Sequence, residues 1–514
     1  MKQLGPFTLS LLLGSTASFS IGQPAIEWQR SLGGTQYDRF YAIEQTDDGG
    51  YIMAGETTSA DGDVSGGHGS WDFWVVKIDA FGTLDWQRCL GGSNLETAGD
   101  ILQTNDGGYV VLGAAMSNDG DVTGISGSTD LWMVKLNASG ELQWQQCYGG
   151  AAGGERGWSV KQTPSDGGFI AAGYSSSGDV PGHIGYDDVW VLKIDASGNL
   201  QWQKCLGGSD ADEARSIEPT ADNGYILSGR TYSDDGDVVG YHSGWDFWVV
   251  KLNSSGMIQW QQCLGGSERD EGQDIQQTMD GGFIAVGTTS SNDMDVSGNH
   301  GGDGDVWVVK LSADGQLQWQ KCLGGPSTDE GYAIHQASDG GYLVAGMAGS
   351  DGGDISGFHG YSDFWLLKLD TLGNVEWQKC LGGSYEEVAY AFMVTADGGI
   401  ILTGITGSTN GDVTGFHGSR DGWVVKLAPY DVEIAESPTS SYPTYPIPAS
   451  DRLNVALTTD QIGSPIAFLD AEGRMVLSAR VESTPMDIDI SLLVNGTYVL
   501  LIGDHYRSRV EVVR

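Results

Sequence analysis

The sequence predicts an all-β fold, and three observations support that prediction. A Trp-Gln dipeptide recurs every 58 or 59 residues along most of the chain. Glycine is abundant, with 80 of 514 residues, and short aromatic and β-branched runs alternate with Gly, Asn and Asp. A fixed period of this size is typical of a repeat architecture, and such runs are typical of strands separated by turns. The dipeptides begin at Trp28, Trp86, Trp144, Trp202, Trp260, Trp319 and Trp377.

Each of the seven copies contains four predicted strands. In the fourth copy they cover 213–217, 225–229, 247–252 and 257–261. An Asp-Gly-Gly turn, or Asp-Asn-Gly at Asp222, follows the first strand of each copy and tolerates the positive φ that a tight hairpin needs. Four antiparallel strands in seven copies predict a seven-bladed β-propeller.

The two ends of the array predict how the ring closes. The array begins with Glu27-Trp28-Gln29, a fourth strand without the three before it, and ends with 423–427, a third strand without a fourth. An open array would expose two sheet edges. We therefore predict that the N-terminal strand completes blade seven.

Residues that recur in every copy are expected to build the blades rather than to bind a ligand. Fourteen of the 17 tryptophans recur, which leaves Trp71, Trp158 and Trp245 outside the pattern. A lysine recurs in every third strand and needs a nearby carboxylate if it is buried. The six cysteines occupy one position in successive copies, where sheets stand ~10 Å apart and a disulfide cannot reach. We expect ion-paired lysines and six free thiols.

Charge and the N-terminus indicate an exported protein. The formal net charge is −42, which makes nucleic acid an improbable partner because phosphates would be repelled. Residues 1–22 have the pattern of a secretory signal peptide, with Lys2 before a short apolar stretch and Gln23 as the expected mature start. No segment is long and apolar enough for a transmembrane helix, so none is expected.

The loops between second and third strands are long, and they share one face of the ring with the connections between blades. We call this the long-loop face and expect binding there. Each long loop has a leading Asp and a trailing Asp, with His in most copies between them. Two carboxylates closing a Gly-rich loop could hold calcium, or they could bond to loop amides as Asx turns and strand caps. One His per loop gives too few ligands for zinc. The calcium candidates are Asp63, Asp72, Asp121, Asp130, Asp179, Asp188, Asp237, Asp246, Asp295, Asp305, Asp354, Asp363, Asp412 and Asp421.

A second acidic set begins the innermost strands. It is expected at the mouth of the central channel, with Arg156 as the exception in copy three. Such a ring could attract cations or basic peptide segments, or it could be a solvated rim. Its members are Asp38, Glu96, Asp212, Asp270, Asp329 and Glu387.

The period ends after Leu427. Residues 429–449 are rich in Pro, Ser and Thr and predict a linker between the propeller of 23–428 and a small β-sandwich-like module at 450–514. This module resembles the type A C-terminal sorting domain of the type IX secretion system of Bacteroidota. The resemblance implies engagement of that secretion machinery, passage through the outer membrane, and a secreted or surface-attached product. Ile447 departs from the family's usual Asn. The matching residues are Tyr445-Pro446-Ile447-Pro448-Ala449, Asp451-Arg452-Leu453, Asp470-Ala471-Glu472-Gly473-Arg474, Leu493, Gly496-Thr497-Tyr498 and Arg514.

The sequence favours a non-catalytic binding or adhesion scaffold, a monomeric propeller that recognises a glycan, a protein or a cation. No cofactor is expected, apart from the calcium alternative. Two other functions stay open: a secreted polysaccharide lyase or hydrolase, and a calcium-stabilised structural surface protein. An enzyme needs one asymmetric constellation. The main departures between copies are Arg156 with Trp158, and His335.

Overall fold

The computed structural model describes residues 23–430, 444–445, 451–455, 465–469, 475–481, 483, 486–502 and 506–513. The chain divides into two compact units, Gln23–Tyr430 and a second that holds Met1–Gly22 and Asp431–Arg514. The expected signal peptide, Arg514 and the linker residues 431–443 and 446–449 lie outside the described residues.

The first unit consists of 28 strands. The strand β1 (Ile26–Leu32) precedes six complete blades and completes the seventh. Blades one to three are β2 (Asp38–Gln45), β3 (Tyr51–Thr57), β4 (Asp72–Ile78), β5 (Leu84–Leu90); β6 (Glu96–Gln103), β7 (Tyr109–Ala115), β8 (Asp130–Leu136), β9 (Leu142–Tyr148); and β10 (Glu155–Gln162), β11 (Phe169–Ser175), β12 (Asp188–Ile194), β13 (Leu200–Leu206). Blades four to seven are β14 (Asp212–Pro219), β15 (Tyr225–Thr231), β16 (Asp246–Leu252), β17 (Ile258–Leu264); β18 (Asp270–Gln277), β19 (Phe283–Thr289), β20 (Asp305–Leu311), β21 (Leu317–Leu323); β22 (Glu330–Gln336), β23 (Tyr342–Ala348), β24 (Asp363–Leu369), β25 (Val375–Leu381); and β26 (Glu387–Val394), β27 (Ile400–Thr406), β28 (Asp421–Leu427).

Each blade is a four-stranded antiparallel sheet, so the prediction of a seven-bladed β-propeller is confirmed. The closure of the ring is confirmed as well, because β1 pairs with β28 and completes the seventh sheet. Trp423 Nε1 donates a hydrogen bond of 2.8 Å to Gln29 Oε1 across this junction. The first strands of neighbouring blades contact each other around the ring and therefore line the central channel.

The recurring residues build the blades as expected. The seven third-strand tryptophans are at most 2% exposed and pack between sheets. The third-strand lysines are buried and pair with the aspartates of the first hairpin turns, with N···O distances of 2.7 to 3.1 Å. The six cysteines are free, and burial raises the pKa of the Cys89 thiol to about 12. In the hairpin turns, Gly49 (φ 83°) and its equivalents adopt positive φ, with Asn223 (φ 63°) in blade four.

Every first strand carries a β-bulge at the same place. In blade one the register with β3 shifts between Phe40 and Ala42, which leaves Tyr41 as the extra residue. A bulge re-aims one side chain and increases the local twist. The residue at the bulge varies from blade to blade and lies at the inner surface of the ring. The seven bulged residues are Tyr41, Gly99, Trp158, Arg215, Gln273, Tyr332 and Tyr390.

The second unit contains two small antiparallel sheets around one core, as the β-sandwich-like prediction requires. Leu453 of one sheet and Phe468 of the other are both fully buried in that core. The three-stranded sheet has β29 (Thr444–Tyr445), β30 (Arg452–Val455) and β33 (Met486–Asp489). The four-stranded sheet has β31 (Pro465–Leu469), β32 (Met475–Arg480), β34 (Gly496–Ile502) and β35 (Tyr506–Val512).

Candidate functional site

The paired aspartates of the long loops act on loop amides. All seven trailing aspartates accept a hydrogen bond from a backbone N–H within their own loop, as Asp363 Oδ2 does from His359 N at 2.9 Å. Six leading aspartates accept from a backbone N–H of the preceding connection, as Asp63 Oδ2 does from Gly33 N at 3.2 Å. These bonds shape the loops and fix the start of each third strand.

The trailing aspartates also have a repeated unsatisfied atom. In six blades the second oxygen, Oδ1, is buried and has no hydrogen-bond partner among the described residues. Burial raises the pKa of three of these carboxyls, Asp130, Asp363 and Asp421, to about 6. Within the described part of the chain, no three His, Cys, Asp or Glu side chains are grouped so as to hold a metal ion. Calcium binding by these loops stays a prediction.

The acidic residues lie at the start of the first strands, as expected, but the alternative of a solvated rim is wrong. All six members are fully buried, because each carboxylate ties its own blade to the connection before it. Asp38 accepts hydrogen bonds from Gly34 N and Ser59 Oγ, both at 2.8 Å, and from Thr57 Oγ1. Glu96, Asp212, Asp270, Asp329 and Glu387 are held in the same way.

Arg156 is not a member of that ring either. Glu155 takes the acidic position in blade three and accepts from Gly150 N and Ser175 Oγ. The first hairpin turn of this blade has one extra residue, so counting back from Asp166 reaches Arg156 instead. The ring therefore has seven acids, and Arg156 begins a different set of residues.

Arginine is concentrated around the channel mouth on the long-loop face. Residues 23–430 contain eight arginines, and six of them lie within or next to the ends of the two inner strands and the third strand at this face. The other two, Arg30 and Arg88, lie on outer fourth strands. We call the six the arginine belt: Arg39, Arg156, Arg215, Arg230, Arg269 and Arg420.

Five members of the belt are held by glutamates. Arg39 pairs with Glu56 and Arg420 with Glu386. Arg230 bridges two blades through Glu213 and Glu271, and Arg215 and Arg269 pair with these same two acids. The channel mouth is thus a network of compensated charges.

Arg156 is the exception. Its guanidinium forms no hydrogen bond or ion pair with any described residue, and its Nε is buried. The Cζ atom of Arg156 lies over the Trp158 ring, 3.7 Å from its centroid, and the Cζ atom of Arg215 lies 4.4 Å from the same centroid. Burial lowers the pKa of Arg156 below its usual value. The carboxylate of Glu56, which pairs with Arg39, also acts on the Arg156 charge but forms no ion pair with it. A half-buried guanidinium without an ion pair or hydrogen bond of its own has N–H groups that can bind an anion.

Aromatic side chains complete the mouth. Tyr390 contacts Tyr41 and Tyr332, with ring centroids 5.1 Å apart in each pair, across three successive blades. The three tryptophans outside the repeat pattern all lie here, each within 6 Å of an arginine of the belt. The repeat pattern leaves these three tryptophans outside it and does not place them in the fold. The signal that could have found this mouth is the variation between copies at the bulged position.

His335 lies towards the hairpin end of β22, below the belt. Its Nδ1 is 3.5 Å from Gln276 Nε2, and burial lowers its pKa. The structure does not bring His335 together with Arg156 and Trp158.

Known proteins resemble parts of this chain. Residues 443–512 match the family model described as the secretion system C-terminal sorting domain. These residues are a type IX sorting domain. The sorting domain indicates a protein that is secreted or attached to the cell surface, and it implies engagement of the type IX machinery. Among the described residues, no helix is long and apolar enough to cross a membrane.

The propeller has weaker likenesses. The chain is 27% identical over 409 residues to regulatory protein FlaEY of Caulobacter vibrioides, which covers 69% of this chain and 41% of that protein. The match thus spans about two fifths of its relative. The Neurospora crassa Pan2 WD40 domain is similar with a TM-score of 0.45 and 11% identity, over 77% of this chain and 95% of that one. Drosophila Plexin A, in complex with Semaphorin 1b, gives a TM-score of 0.43 and 9% identity, over 79% and 87%.

Proposed function

We propose that this exported propeller is a non-catalytic binding protein whose channel mouth receives a carboxylate of an acidic glycan. The single observation that carries this proposal is that Arg156 forms no ion pair or hydrogen bond with any described residue, although Glu56 lies near enough to act on its charge. The five other arginines of the belt have glutamate partners, whereas this guanidinium has none among the described residues.

The stacking of Arg156 supports an anionic ligand. A guanidinium that lies over an indole ring can keep its edge N–H groups free, and these match the two oxygens of a carboxylate. The contact with Trp158 holds the group in place before the ligand arrives. Little rotamer entropy is then lost on binding.

The surroundings support a sugar as the carrier of that carboxylate. Tyr41, Tyr332 and Tyr390 line the same mouth and offer aromatic faces, and Tyr41 and Tyr390 also offer hydroxyl groups, whereas the Tyr332 hydroxyl already donates to Glu330. Such side chains pack against sugar rings and bond to their hydroxyls. The chain as a whole is strongly acidic and the five other belt arginines are paired, so Arg156 is the place at this mouth where an anion can approach.

The ion pairs support binding rather than acid–base chemistry. Although burial works against it, hydrogen bonds and charge from Arg269 and Arg230 hold the pKa of Glu271 below its usual value. A carboxylate held in its ionised form is a poor proton donor.

The test uses the full chain and three uronate polymers: polygalacturonate, alginate and hyaluronan. We expect calorimetry to show binding to at least one of them, with weaker binding to its methyl ester, in which the carboxylates are neutralised. Arg156→Gln should weaken binding about tenfold or more, which corresponds to about 1.4 kcal/mol. Arg88→Gln, on an outer strand, is the matched control and should bind like the native protein. Binding to none of the three polymers, or equal binding by Arg156→Gln, would contradict the proposal.

One observation favours the enzyme alternative at the same mouth. Burial raises the pKa of Glu56 although Arg39, Arg156 and Tyr41 act to lower it. The buried Glu56 Oε2 atom has no partner within normal hydrogen-bond geometry among the described residues. A carboxyl with a raised pKa can donate a proton to a leaving group. If the protein degrades uronate polymers, new chain ends will accumulate with time, and Glu56→Gln will stop their release. A constant polymer length would count against this second function.

A further inference from the structure

Blade three also departs from the repeat away from the channel. In the six other blades, the third-strand tryptophan donates its N–H to a fourth-strand glutamine, at 2.7 to 3.1 Å. In blade three, Trp190 is 2% exposed, yet its Nε1 has no partner among the described residues. The equivalent tryptophans of the six other blades are therefore internal controls for the unpartnered N–H of Trp190.

A cavity of about 320 Å³ lies beside this donor, between blades two and three. Its volume is at the lower end of the usual range for small-molecule sites. Residues of the loops and residues of the strands both contribute to the wall of the cavity. The residues that matter here are Ser126, Asp179, Pro181, Trp190, Leu200 and Gln203.

Two local changes explain the cavity. The long loop of blade three has 12 residues, 176–187, against 14 in blade one, 58–71. Ser126 of blade two also stands where blades one and five have His68 and His300. The Nε2 atoms of those histidines lie 3.9 and 3.7 Å from the leading aspartate of the next blade. The smaller serine leaves that space open.

The wall of the cavity restricts the chemistry of an occupant. Trp190 Nε1 can only donate, so it needs an acceptor. Asp179 can only accept when ionised, and one of its oxygens already accepts from Ala151 N at 2.9 Å. None of the lining residues is basic, which disfavours an anion. A cation could meet Asp179 but could not accept from the indole.

We propose that this cavity is a binding site for a neutral sugar residue. A hydroxyl group both accepts and donates, so neighbouring hydroxyls can satisfy Trp190 and Asp179 together. The C–H face of the ring would pack on Pro181 and Leu200. This site does not use Arg156 and stands independently of the function proposed for the channel mouth.

The test follows the indole N–H signal of Trp190 by NMR in the full chain, with Trp190→Phe to assign it. The probes are methyl glycosides of glucose, galactose, mannose, xylose, fucose and N-acetylglucosamine, titrated into the millimolar range. At least one should shift this signal with saturation. If none shifts it, the cavity holds water alone and the proposal is overturned.

Two variants test whether sugar binding needs the unpartnered Trp190 N–H or only an open cavity. Ser126→His restores the residue of the repeat, fills the cavity and should weaken binding about tenfold or more. His68→Ser opens the corresponding space between blades one and two, where Trp132 N–H is already bonded to Gln145 at 2.7 Å. It should create no new site. Saturable binding beside Trp132 in His68→Ser, or unchanged binding in Ser126→His, would contradict the proposal. Arg156→Gln should leave the Trp190 titration unchanged.

Discussion

Blade three and the six other blades are built on the same repeat but differ at the long-loop face. In the other blades, the indole N–H is bonded to glutamine and the trailing aspartate has an orphaned oxygen. In blade three the reverse holds, because Asp188 Oδ1 accepts from Gly185 N at 3.3 Å while Trp190 Nε1 has no hydrogen-bond partner in the part of the chain that the structure describes. The unpaired Arg156 is in the same blade. In a ring of seven similar blades, one blade can thus lose hydrogen bonds of the repeat and leave polar groups free to bind a ligand. The other six blades keep the ring closed.

The largest expected effect concerns the pH dependence of stability, and it comes from the trailing aspartates. Burial raises the pKa of Asp130, Asp363 and Asp421 from the usual 3.8 to about 6. The folded protein therefore binds more protons than the unfolded chain between about pH 4 and 6, and stability should rise as pH falls from 7 to 5. Linkage gives about 1 kcal/mol for each such carboxyl, and so several kcal/mol for the ring. Denaturant unfolding at pH 5, 6 and 7 measures this slope.

A single variant isolates that effect from general charge repulsion. Asp363→Asn imitates the protonated acid and should flatten the pH dependence by about 1 kcal/mol. Asp188→Asn should change it less, because Gly185 already satisfies the second oxygen. Equal changes in both variants, or a stability that falls on acidification, would remove this difference between the blades.

The hairpin ends of the blades should show no difference. Lys310 pairs with Asp280 at 3.0 Å, and Lys193 of blade three pairs with Asp166 at 2.7 Å. Both lysines are buried, so losing the partner leaves a poorly solvated charge. Asp280→Asn and Asp166→Asn should each cost about 2 kcal/mol in the free energy of unfolding, below the range for fully buried pairs because the aspartates are exposed. A much smaller cost in Asp166→Asn would mean that blade three is irregular throughout.

The repeat made the fold predictable from the sequence but gave no indication of the site at the channel mouth. Because Trp, Lys and the turn aspartates recur, their spacing alone predicted seven blades, the closing strand, the ion pairs and the free thiols. The burial of Asp38 and its equivalents could not be read from spacing, since it depends on loops that fold back over the strand ends. The spacing placed Arg156, instead of Glu155, at the acidic position of blade three, because the first hairpin turn of that blade has one extra residue. The lack of an ion pair at Arg156 depends on where four glutamates from other strands and loops reach.

The smallest expected effect concerns the indole bond itself. Trp248→Phe removes the N–H that Gln261 accepts at 2.8 Å and leaves that oxygen only the Cys263 thiol at 3.8 Å, a weak donor, whereas Trp190→Phe removes a donor that has no partner among the described residues. Both lose a similar volume, so the difference between the two free energies of unfolding reports the hydrogen bond, about 1 kcal/mol in favour of Trp190→Phe. Denaturant titrations without sugar measure it. If both variants lose equal stability, Trp190 N–H is satisfied in solution, and the sugar would have to displace whatever satisfies it. If Trp190→Phe is the milder change, the donor is free to bond a ligand, and blade three has given up that bond at the place where its cavity opens.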